Sequence, residues 1–148
     1  MDKNQKSFLE RLRHKIWVII MSDLRKLLES KECFDYSVPA TKEAIEQAES
    51  ALHLQFAEDY KEYLLEFGSV TFDGHELTGI SPNKWQDVVE TTKKGRLATD
   101  VPDDFYAIER LGIDGMIVWQ KNDGTLFLTS PTNGSTLIAN SLIDYLAK

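Results

Sequence analysis

The chain reads as one α+β domain, with helices first and then a mostly antiparallel sheet flanked by helices. Three observations predict this. From residue 4 to residue 67, apolar side chains recur at helical spacing. After Gly68 the pattern changes to short β-branched and aromatic runs separated by turn pairs at Asp73-Gly74, Asp123-Gly124 and Asn133-Gly134. The length of 148 residues, with 42% hydrophobic and 28% charged side chains, suits a single globular core.

Residues 4–29 predict a long amphipathic helix. Phe8, Leu12, Ile16, Ile20 and Leu24 recur at i+4, and Trp17, Val18 and Ile19 widen the apolar arc. The spacing fits a helix packed on the domain, and self-association through the same stripe is left open. A basic amphipathic helix also suits a membrane or a partner, but the acidic remainder of the chain argues against a membrane. The segment ECFDYSVPA reads as a loop. Thr41 then caps a second helix whose Ile45, Ala48 and Leu52 face inward. Glu49, one turn beyond Ile45, falls near that apolar side, where a glutamate reaches solvent or accepts a local backbone hydrogen bond.

The stretch AEDYKEYLLEFGS predicts a third helix ending at Gly68. Phe56, Tyr60, Tyr63, Leu64 and Phe67 share one arc, leaving Glu58, Asp59, Glu62 and Glu66 on the other, with Leu65 among them. VTFDG and HELTGI form a hairpin, and NKWQDVVETTKKG a further helix stopping at Gly95. PDDFYAIERLG reads as an irregular or helical link. GMIVWQ, TLFLTS and STLIA make a three-stranded meander, and NSLIDYLAK a closing helix beginning near Ser141.

The net charge of −7 is uneven: residues 1–30 sum to +3 and residues 31–148 to −10. So acidic a body disfavours nucleic acid and anionic membranes and suits a basic protein partner. With Cys33 alone no internal disulfide can form, and the run IWVIIM is too short for a bilayer, so a cytoplasmic location is expected.

No motif for bond-making chemistry emerges. His14, His53 and His75 lack metal-ligand spacing, and no phosphate loop or nucleophile elbow occurs. Asp73, His75 and Glu76 form the best acid–base cluster, yet such groups around a β-turn are common on wet surfaces. No catalytic, cofactor or metal residue is assigned. The i,i+4 like-charge pairs Glu58/Glu62 and Glu62/Glu66 cost the helix a few tenths of a kcal/mol each, about 0.2–0.5, which points to a purposeful negative face.

The run PATKEAIEQAESALHLQFAEDYKEYLLEFGSV resembles the signature region of the SUKH superfamily, the Smi/Knr-type immunity domains. Ile45-Glu46-Gln47-Ala48-Glu49 matches its first helix, while Asp59-Tyr60, Tyr63-Leu64-Leu65 and Gly68 match its second. HELTGIS, VPDDFYAIERLGIDGMIVW and IANSLIDYL follow in the right order. Ala57 departs from the usual proline, and Ser69-Val70 from the usual Asn/Gly-rich helix end. The resemblance implies a family core over 39–148, with 1–38 a helical extension.

It further implies a non-enzymatic immunity protein that binds and blocks a cognate toxin, often a nuclease, without cofactor; a regulatory or scaffold module of the same fold is the alternative. A basic nuclease groove would meet a carboxylate-rich surface. Helical phase, rather than the family motif, selects that surface as Asp59, Glu62, Leu65, Glu66, Asp73 and Glu76.

Overall fold

The computed structural model describes residues 2–148, apart from the side chains of Trp17, Ile20, Met21 and Ser22. Two members of the apolar arc, Trp17 and Ile20, therefore lie outside the described side chains. Helix α1 spans Lys3–Glu29, and Asp2 caps it by accepting the Gln5 amide at 2.8 Å. Only its last turns pack on the body: Leu24 and Leu28 are 1% and 0% exposed, whereas Phe8, Leu12 and Ile16 face solvent. The expected single stripe is in fact a spiral. At 3.6 residues per turn each i+4 step advances about 40°, so Leu24 lies roughly 160° around the helix from Phe8.

Strand β1, Asp35–Tyr36, falls in the segment expected to be a loop. It is a two-residue edge strand, recognisable only by its partners Thr71 and Val70. Helix α2, Lys42–Leu52, starts as the sequence predicts, with Thr41 Oγ1 accepting the Ala44 amide. Glu49 Oε2 accepts the Phe56 amide at 2.8 Å, which explains a carboxylate near the apolar side. Helix α3 spans Glu58–Phe67. It stops at Gly68, whose φ of 76° suits glycine and whose Cβ, if added, would lie 2.0 Å from the Val38 carbonyl oxygen.

Strands β2 (Val70–Phe72) and β3 (His75–Leu77) form the expected hairpin around Asp73-Gly74. Both turn residues have positive φ, the geometry that matches the twist of a two-residue loop. A 3₁₀ turn at Lys84–Gln86 follows, then α4 at Val88–Ala98, capped by Asp87. The helix runs past Gly95 instead of stopping there. A Cβ at Gly95 would sit 2.6 Å from Trp119 Cη2, so this glycine admits an indole and does not end a helix.

The segment expected to be a link contains strand β4, Tyr106–Arg110. It misses the alternating pattern because both faces are covered: Tyr106, Ala107, Ile108 and Glu109 are all buried. Strands β5 (Ile117–Gln120), β6 (Leu126–Thr129) and β7 (Thr136–Ala139) complete a four-stranded antiparallel sheet in chain order. Helix α5, Leu142–Leu146, closes the fold, with Ser141 Oγ accepting the Asp144 amide.

The three-stranded sheet β1-β2-β3 and the four-stranded sheet meet between β3 and β4. A bulge at Ile108 breaks the β4–β5 register, and the Ile108 carbonyl accepts the Thr78 amide at 2.7 Å. Around this junction the main core gathers Tyr60, Tyr63, Phe67, Leu77, Tyr106 and Leu126, while Phe105 and Trp119 form a smaller cluster beneath α4.

Candidate partner-binding surface

Helix α3 is the element on which the acidic surface depends, and its inner face is fixed by aromatic packing. Tyr60, Tyr63 and Tyr106 are fully buried, and each hydroxyl is satisfied. Tyr60 shares a bond with Thr78 Oγ1, and Tyr63 donates to the Thr78 carbonyl while accepting the Val70 amide. Tyr106 donates to Gln120 Oε1 and accepts the Ala57 amide, so α3 begins on a phenol where its own residue Ala57 supplies no cap. Burial raises the pKa of all three phenols, so they stay neutral donors throughout the physiological range.

The four carboxylates of α3 do not share one environment. Asp59 turns inward, against the expectation that it lies outside. Its Oδ1 accepts Gln120 Nε2 at 3.0 Å and its Oδ2 accepts the Leu142 amide at 2.8 Å. Burial pushes its pKa up, partly offset by those two bonds. Glu58 and Glu49 both lie within 4 Å of Lys61 Nζ, at 3.9 and 3.7 Å. Glu66 accepts Arg25 Nε of α1 at 2.7 Å, and the guanidinium sits 4.9 Å from the Phe67 ring centroid. The like-charge cost read from i,i+4 spacing is thus relieved by cations from other turns and another helix. Glu62 has no ion pair among the described residues.

Glu62, Leu65 and Glu66 do share the outward side, and Leu65 remains 41% exposed between the two glutamates. Asp73 is exposed at the hairpin tip, where its amide donates to the Glu32 carbonyl at 2.8 Å. Exposed Glu32 therefore extends the acidic ground there. Glu76 lies elsewhere, in a groove of about 510 Å³ with Trp85, Lys94 and Arg110. His75 does not pair with its neighbours Asp73 and Glu76. Its Nδ1 lies 3.1 Å from Oε2 of buried Glu109, whose other oxygen accepts the Tyr145 hydroxyl. Burial, then the Glu109 charge, raises the Tyr145 pKa, so it remains a donor.

A cleft of about 470 Å³ opens where α1 meets the start of α3, the β5–β6 turn and α5. Leu24, Leu142 and Ile143 line it, with Asp23, Glu58 and Asp123 around them. Among the described residues no group of three or more His, Cys, Asp or Glu side chains is placed to hold a metal ion. Nor is any described helix long and apolar enough to cross a membrane.

Gln120, Glu109, Arg25 and Tyr145 escaped the sequence reading. Only Gln120 left a trace there, as the polar end of the run GMIVWQ.

The family model SUKH_5, described as SMI1-KNR4 cell-wall, matches residues 20–148, which takes in α3, both sheets and α5. The chain belongs to this SUKH family. A crystal structure of a protein from Pseudomonas syringae pv. tomato shares its fold, with a TM-score of 0.67 and 20% identity over 86% of this chain and 95% of that one. No curated protein matches the sequence. The match to this SUKH family begins at residue 20, within α1, upstream of the family core expected from residue 39.

Proposed function

We propose that this SUKH protein is an immunity protein that binds a cognate toxin, a basic nuclease domain, in a one-to-one complex. Family membership supports a binding role over catalysis, since the bacterial immunity domains it resembles block toxins by direct contact. The observation that carries the reading to a surface is the outer side of α3. There Leu65 stands exposed between Glu62 and Glu66, with Asp73 and Glu32 on the neighbouring loops. Carboxylates on the rim speed encounter with a cationic groove, and an apolar anchor between them slows dissociation.

Asp59 supports the surface from behind. By tying the first turn of α3 to Gln120 and to α5, it sets the angle at which the outer face is presented. Glu76 contributes through the separate groove with Trp85, so a toxin touching both would have to wrap around the β2–β3 hairpin.

The experiment is co-expression with the product of the neighbouring gene, tested for toxicity, followed by binding kinetics on the purified pair. Wild-type protein rescues growth, and Glu62→Lys lowers the association rate and flattens its salt dependence. Leu65→Asp raises the dissociation rate at least tenfold. Rescue and kinetics unchanged in both variants would place the contact on another surface. The "cell-wall" description of the matched family favours a second reading, a regulatory or scaffold module of the same fold. Absence of rescue together with recovery of a non-toxin partner would support it.

A further inference from the structure

The first two-thirds of α1 carries an apolar face that the domain leaves uncovered. Phe8, Leu9, Leu12, Ile16 and Ile19 are each between 44% and 61% exposed, and helical phase gathers them into an arc of about 100°. From Leu9 their spacing is three, four, three, the seam by which helices pair. At roughly 100 Å² apiece they present on the order of 500 Å². That is near the top of the range for a monomer's largest patch and over half of the roughly 800 Å² each partner buries in a stable dimer.

Charge says what the partner is. Residues 2–19 carry Lys3, Lys6, Arg11, Arg13 and Lys15 against Asp2 and Glu10, a balance of +3, whereas residues 31–148 carry −10. The cleft at the base of the same helix has an apolar lining of Leu24, Leu142 and Ile143 with Asp23, Glu58 and Asp123 beside it. Asp23 and Glu58 are exposed, and Glu58 is only loosely held by Lys61 at 3.9 Å. A chain cannot fill this cleft with its own arm, because α1 is one unbroken helix leading out of it. A second copy can.

We propose that two copies pair through antiparallel α1 arms. The two arms cross at Ile19, and each lays the rest of its apolar stripe over the base of the other arm and its cleft, with Arg11, Arg13 and Lys15 beside the bordering acids. Parallel pairing is disfavoured because it would hold Lys15 about two turns short of the other copy's Asp23 and leave the cleft acids without a cation. Antiparallel pairing centred near Ile19 puts Lys15 of one copy opposite Asp23 of the other. The contact is twofold and closed, so it yields dimers and not filaments.

Sedimentation velocity on the full chain from 1 to 100 µM tests this. Wild-type protein is expected at twice the 16.9 kDa chain mass. Leu12→Asp with Ile16→Asp should give a monomer whose body unfolds at the wild-type temperature, since both side chains are exposed. Lys15→Glu should weaken dimerisation at least tenfold, and adding Asp23→Lys should restore it. With Cys33→Ser as background, Ile19→Cys should cross-link to itself on oxidation and Phe8→Cys should not. The proposal is overturned if wild-type protein is monomeric at 100 µM, or if the dimer survives the double aspartate variant. It also fails if Phe8→Cys cross-links in preference, or if the arm binds phosphatidylglycerol vesicles as a monomer.

Discussion

Replacing Asp59 by alanine removes the acceptor for two donors that have been taken out of water. The Leu142 amide, at 2.8 Å, opens α5, and Gln120 Nε2, at 3.0 Å, keeps a second partner in the Gly124 carbonyl. Stranding a buried donor costs about 1–3 kcal/mol, so one full loss and one partial loss give about 2–3 kcal/mol. For a domain of this length each kcal/mol moves Tm by about 2–4 °C, so Asp59→Ala should unfold about 5–10 °C early.

The pH dependence carries a sign. Burial raises the Asp59 pKa in the folded protein, so its contribution is fully present below the unfolded pKa of about 3.9 and is lost as pH rises through the folded value. The gap between wild type and Asp59→Ala is therefore wider at pH 4.5 than at pH 7.5. Urea unfolding followed by circular dichroism at the two pH values measures it. A gap under about 0.5 kcal/mol, within the range of ordinary surface substitutions, or one that widens with pH, would refute the assignment of Asp59 as a buried acceptor.

Gly95→Ala should destabilise the fold by about 1–3 kcal/mol despite alanine's helix preference, because its methyl meets the Trp119 ring; calorimetry checks this. Tyr145→Phe takes one of two donors from buried Glu109 and should cost about 1–2 kcal/mol. A double-mutant cycle with His75→Ala should show coupling above about 0.5 kcal/mol, since both groups bond one carboxylate. Arg25→Met loses both the partly exposed Glu66 pair and the guanidinium over Phe67, so urea unfolding should show a loss of no more than about 1–2 kcal/mol.

The helices and most strands were legible from spacing alone. Thr41, Ser141 and the Asp73-Gly74 turn act locally, and local signals survive in a one-dimensional reading. Strand β4 was not legible, because a strand covered on both faces loses its alternation, and buried Glu109 looks like a surface residue until His75 and Tyr145 are seen around it. Gly95 was misjudged for the opposite reason: a glycine that admits a distant indole is indistinguishable, in sequence, from one that ends a helix.

The acidic face was legible in part. Helical phase found Glu62, Leu65 and Glu66, but it could not show Asp59 drawn inward by Gln120 and Leu142, which lie 61 and 83 residues away. Nor could it show Arg25 crossing from α1 to Glu66. The same blindness made α1 look like one continuous stripe, since a ladder at i+4 looks straight on paper and winds in space.

The bond between Asp59 and Leu142 also sets an order of events in the cell. The amide is synthesised 83 residues after the carboxylate it must meet. At about 5–20 residues per second, the nascent chain spends roughly 4–17 s with α3 already made and that partner still to come. For most of that interval the four-stranded sheet that packs on the tyrosine face of α3 is incomplete. Newborn molecules are therefore at their most vulnerable to chaperones and proteases midway through translation, and a slower ribosome lengthens the exposure.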